Sequence, residues 1–126
     1  MTRTIIDPLN LTIGLPEGFV QPHSDLLEFC SDVETRYPRC FSIKAIESMP
    51  EDVVDWQSVA LADGGTFYYH RTEWVYGGSG GPEERLKGYV VIDAHYFEVK
   101  ATHQDKYRPD STWCIPIIKT LRYEDK

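Results

Sequence analysis

No stretch of this 126-residue sequence approaches the roughly 18 consecutive apolar residues that a membrane-spanning helix needs. Its start, Met1 to Pro8, has one basic residue and two isoleucines before an Asp and a Pro, and does not read as a secretory signal. Cysteine is scarce. Cys30, Cys40 and Cys114 make an odd count at wide spacing. That argues against a disulfide framework and a thiolate zinc site, and reads as free thiols in a reducing cytoplasm. The four histidines, His23, His70, His95 and His103, fall into no HxH or HExxH spacing, so no metal site is expected. No GxSxG elbow offers a nucleophile. The glycine run Gly77–Gly81 is followed by Pro82-Glu83-Glu84, whose carboxylates would repel a phosphate, so it reads as a hairpin tip. No catalytic residue and no cofactor is nominated.

Positive charge is also short. Thirteen Lys and Arg face twenty Asp and Glu, for a net charge of −7. Such a chain repels phosphate backbones, and direct nucleic-acid binding is not expected. The excess is unevenly placed. Residues 1–63 hold eleven acids and four bases, and residues 64–126 hold nine of each. A protein partner with a basic surface is favoured, because opposite charge accelerates encounter.

What is present is an ordinary globular composition, 41% apolar and 26% charged, at a length that fits one domain over residues 1–126. Ser24 to Tyr37 reads as a helix: Ser24 can cap it, Leu26, Cys30, Val33 and Tyr37 share a face, and Pro38 ends it. Cys40 to Glu47 alternates as a strand. Ser48-Met49-Pro50-Glu51 resembles a capping box and announces a short helix to about Asp55. Trp56 to Ala62 is ambiguous: Met49, Val53, Trp56 and Ala60 fit a helix continuing to Gly64, while Gln57 to Leu61, then Asp63-Gly64-Gly65, fits a strand entering a hairpin turn, the reading preferred. Thr66 to Tyr76 alternates cleanly, Leu86 to Ile92 and Tyr96 to Thr102 resume the β pattern about a turn at Asp93-Ala94-His95, and Thr112 to Tyr123 reads as a last strand with Pro116 at an edge or bulge. The fold class expected is α+β: an N-terminal helix, about 24–37, on a mostly antiparallel meandering sheet formed largely by residues 56–123.

Three constellations carry candidate function. Asp25, Glu28 and Asp32 lie at i, i+3 and i+7 of the expected helix, and Glu51, Asp52 and Asp55 form a second acidic group; both would dock a basic protein surface. Tyr68, His70, Trp74 and Tyr76 share one face of a strand and, with His95, would line a ligand pocket beneath the helix. Glu98 and Lys100 share a strand face in the manner of PD-(D/E)xK nucleases, with Asp93 or Asp63 as the third group; the acidic surface argues against such a Mg-dependent nuclease. The first reading is a small acidic, non-enzymatic, cytoplasmic binding protein that antagonises a protein partner. Phage anti-defence inhibitors and toxin-immunity proteins share this size and charge. A small-ligand or nucleotide-binding module is the alternative. Proline in the edge strands limits open-ended strand pairing but permits a homodimer.

Overall fold

Strands make up most of the described residues, those of the first half included, and in several of them apolar and polar side chains alternate. The computed structural model describes residues 2–6, 9–21, 27–31, 39–74, 83–104 and 111–124. Among these, ten strands follow in order: β1 (Thr2–Ile6), β2 (Leu11–Leu15), β3 (Phe19–Val20), β4 (Glu28–Ser31), β5 (Cys40–Ile46), β6 (Gln57–Ala60), β7 (Thr66–Trp74), β8 (Glu83–Ile92), β9 (His95–Gln104) and β10 (Arg122–Tyr123). A 3-10 turn, Glu51–Asp55, leads into β6, and a second, Ser111–Trp113, runs directly into helix α1 (Cys114–Ile118). Every pairing is antiparallel. Seven strands form one sheet in the order β3-β4-β5-β9-β8-β7-β6, and β1-β2-β10 form another.

The expected N-terminal helix is overturned, and with it the α+β class: the chain is mostly β. Glu28–Ser31 is a strand paired to β5, with Glu28 opposite Ser42, Phe29 opposite Phe41 and Cys30 opposite Cys40. Residues 22–26 and 32–38 lie outside the described residues. The spacing of Leu26, Cys30, Val33 and Tyr37 is helical in number, but Phe29 enters the core while Cys30 takes the other face of the sheet. Cys30 and Cys40 are joined as a disulfide, which replaces the expectation of free thiols for these two; Cys114 is a buried thiol. Ser31 N–H donates to Arg39 O at 2.8 Å and Ile43 N–H to Leu27 O at 3.0 Å. The cysteines between them are therefore a non-hydrogen-bonded pair, where opposing strands approach most closely; their Cα atoms are 4.1 Å apart.

The last expected strand is also corrected. Trp113, Ile115 and Ile117 alternate, but Cys114, Ile117, Ile118 and Leu121 recur at helical spacing, and it is these four that are buried. Burying that stripe favours the short helix over an edge strand. Glu83 and Glu84 open β8. One oxygen of the buried Glu84 accepts from Ser111 N–H at 2.9 Å and Ser111 Oγ at 2.6 Å, tying the start of the helical segment to the sheet.

The core lies between the two sheets. Ile6, Leu11, Ile13 and Leu15 of the small sheet, together with α1, meet Phe41, Ile43, Phe67, Leu86, Val90, Phe97 and Val99 of the large one. Other readings hold: β5, the hairpin about Asp63-Gly64-Gly65 and the short helix over 51–55 form where expected, although Pro50 rather than a serine precedes that helix and makes no side-chain cap. The β8–β9 turn is Asp93-Ala94, both residues at positive φ, 48° and 62°. That is the backbone a two-residue hairpin requires, met here without glycine.

Gly88 sits in the middle of β8, and a Cβ there would meet the Phe67 ring. Gly88→Ala is expected to lower stability by about 1–3 kcal/mol, through displacement of that ring. Ala94→Gly should raise it by about 0.5–1 kcal/mol, since glycine removes the left-handed strain. Chemical denaturation measures both.

Candidate functional site

Register assigns each residue of the large sheet to one of two faces. Phe67, Val90 and Phe97 align across β7, β8 and β9 on the core face. Residues between them face away from the small sheet. Three of the rows that cross this outer face carry its charged groups and the aromatic cluster. Cys30, Cys40, Thr102, Arg85 and Thr72 form the first. Glu28, Ser42, Lys100, Lys87 and His70 form the second, and Lys44, Glu98, Tyr89, Tyr68 and Ser58 the third.

Trp56, the residue between the 3-10 turn and β6, joins the second row to the third. Its indole packs 5.5 Å from the His70 ring and 5.7 Å from the Tyr89 ring. Tyr89 is buried yet lies outside the inter-sheet core, as does Val53 of the 3-10 turn. A small second apolar cluster thus sits on this face. Asp55, Trp56, Gln57, Tyr69, His70, Arg71 and Glu84 border an open cleft of about 400 Å³ beside it.

Glu51, Asp52 and Asp55 are exposed on the 3-10 turn immediately before Trp56. Side chains three apart eclipse in such a turn, which puts Asp52 and Asp55 on one side, about 6 Å apart in rise. Of the other acids expected at a docking surface, Asp25 and Asp32 lie outside the described residues. Glu28 is half-buried on β4, its carboxylate 3.8 Å from Cys30 Sγ. It stands five strand spacings from β6, on the order of 24 Å. The structure therefore groups Glu51, Asp52 and Asp55 and separates Glu28 from them.

Of the expected ligand-binding set, Tyr68 and His70 share the outer face, Trp74 ends β7 and Tyr76 lies outside the described residues. His95 belongs elsewhere: it stacks on Tyr123 of β10, ring centroids 4.1 Å apart. The helix that was to roof a pocket here is absent at residues 28–31, which are strand. Glu98 and Lys100 do share a face. Glu98, with 12% of its side chain exposed, holds Lys44 at 3.4 Å and Lys100 at 3.6 Å, and accepts from Tyr89 Oη at 3.4 Å. Among the described residues, Glu28, Cys30 and Cys40 have ligand atoms close enough for a metal ion, but their two sulfurs are bonded to each other and offer no thiolate.

The residues that sequence reasoning missed are Trp56, Lys87 and Tyr89. Lys87 and Tyr89 could have been found, because Arg85, Lys87 and Tyr89 alternate with Leu86 and the core residue Val90 once the glycine is counted in register. Trp56 could not: its contacts come from β7 and β8.

Residues 12–122 match the family model Tsi3, described as type six secretion immunity 3 domain. The chain belongs to the type six secretion immunity 3 family. The description of that family is of an immunity domain of type six secretion. No curated protein matches the sequence. A crystal structure of a protein from Bacteroides thetaiotaomicron has a similar fold, at TM-score 0.61 and 8% identity over 93% of this chain and 46% of the other. This Tsi3 chain thus spans about half of that structure, and at such identity the likeness is one of fold alone. No helix of the described residues is long and apolar enough to cross a membrane.

Glu98→Gln would leave Lys44 and Lys100 beside a neutral amide. A loss of about 1–2 kcal/mol is expected. Thermal melts should show it shrinking as salt screens the repulsion between the lysines.

Proposed function

We propose that this immunity protein binds its toxin directly, through the corner of the large sheet where Glu51, Asp52 and Asp55 stand beside Trp56, and that the toxin presents a basic surface there. The observation that carries the reading is this juxtaposition of three exposed carboxylates with a part-exposed tryptophan, itself seated on His70 and Tyr89. Protein interfaces draw their affinity from a few such aromatic anchors, within a polar rim that excludes water. The carboxylates serve the approach: charge at a rim mainly raises the association rate and selects partners of opposite sign. The acids and the indole thus have separable roles, and the chain's charge of −7 adds to the steering field.

The bridge between Cys30 and Cys40 supports an oxidising compartment, such as the periplasm, as the place of action, in preference to the cytoplasm expected from sequence. Thiol trapping in the producing cell tests this. Alkylation before reduction should label Cys114 alone, after unfolding; labelling of all three cysteines would return the protein to a reducing compartment.

The binding reading is tested with purified toxin. Glu51→Gln/Asp52→Asn/Asp55→Asn is expected to slow association about tenfold and to flatten its salt dependence, with little change in dissociation. Trp56→Ala should accelerate dissociation by about tenfold or more. Undiminished binding by both variants would place the interface elsewhere on the protein.

A further inference from the structure

The outer face also carries an arrangement that a free sheet gains nothing from. Lys87 of β8 and Lys100 of β9 are direct register partners. Counted from the two-residue turn, theirs is a non-hydrogen-bonded pair, the kind in which side chains approach most closely. Like charges directly opposite destabilise a sheet. Lys100 is 60% exposed and shares Glu98 with Lys44, which is 66% exposed. Among the described residues no carboxylate pairs with Lys87; its ammonium lies 5.9 Å from the centre of the Tyr89 ring. Among the described residues of these rows, Glu98 thus holds two of the three ammonium groups and the third is left on an aromatic ring. Even counted with Glu28 at the end of the row, the patch is net positive in a chain of net charge −7.

We propose that Lys87 and Lys100 form the receptor for an acidic segment of the toxin, which lies across the outer face next to the Trp56 anchor. This rests on direct toxin binding as proposed above and assigns it a second, oppositely charged contact. The second row places the parts in sequence: Lys100, Lys87, His70 and then Trp56, with the acids of the 3-10 turn just beyond. A carboxylate brought between the lysines would relieve their repulsion and be held by two charge-assisted contacts, with the aromatic cluster as its neighbour. The complementary toxin surface is therefore two-signed: acidic over β8–β9 and basic over the turn before β6. Such a pattern fixes orientation and rejects partners that carry either sign alone.

Opposite effects on folding and on binding are expected. In Lys87→Glu the like-charge pair becomes an attractive one. The free protein should melt higher, by about 2–4 °C, while its affinity for purified toxin falls by about tenfold or more. Lys87→Gln should fall between on both measures. A higher melting temperature with toxin affinity unchanged within twofold, in an experiment where Trp56→Ala does weaken binding, would overturn this receptor and leave direct toxin binding standing. A lower melting temperature in Lys87→Glu would overturn the like-charge argument itself. Failure of the unaltered protein to bind toxin would overturn the binding reading, and this one with it. Loss of self-association on Lys87→Glu, seen by sedimentation with toxin absent, would assign the face to a second copy of the chain and overturn the proposal.

Discussion

A two-residue turn sets the register of the longest hairpin in the chain, and the composition of both faces of the large sheet follows from it. With Asp93 and Ala94 both at positive φ, Ile92 is held opposite His95, and every later pair of β8 and β9 is thereby fixed. Side chains alternate with period two, so a slip of β9 by one residue against β8 would turn Phe97 and Val99 outward and Glu98 and Lys100 into the core. Burial of those apolar residues and the strained turn enforce the same register. The left-handed backbone of Ala94 is a local cost that this agreement offsets.

From that register two surfaces of different character arise. The core face is closed by the small sheet and α1, and Glu84 anchors the helical segment to it by a buried carboxylate. The outer face is crossed by charged and aromatic rows, and Trp56 gathers His70 and Tyr89 into a second apolar cluster there. An immunity protein must recognise one toxin without binding the many other proteins around it. A surface that carries both signs of charge around an aromatic centre suits that task better than uniform acidity, which any basic protein would satisfy in part.

The strands whose signals are local were legible in the sequence. Thr66 to Trp74, the turn at Asp93, and the strand from Cys40 needed only alternation and turn chemistry. The segment around Cys30 was not legible, because its structure is decided by a partner ten residues away: pairing with Cys40 and burial of Phe29 outweigh an apolar spacing that fits a helix by coincidence of number. At the C-terminus two periodicities coexist in Trp113 to Leu121, and only the location of the core decides between them. The acids of the 3-10 turn were found as a group because they are adjacent in sequence. The lysine pair was not, because residues 87 and 100 meet only through strand register. Charge counted along the chain gave an acidic half and a neutral half; charge counted across the sheet shows a positive patch within the neutral half.

Cys30 and Cys40 face each other as register partners, and this has a consequence for how the molecule is made. Were β4 displaced by one residue against β5, the two sulfurs would sit on opposite sides of the sheet and could not join. The closed bond is therefore compatible with the native pairing of β4 and β5 and not with a one-residue slip of it. Once formed, it closes a short loop and removes much of the freedom to try other alignments. Oxidation thus narrows the alignments open to β4, because a chain that carries the bond cannot pair these strands one residue out of place.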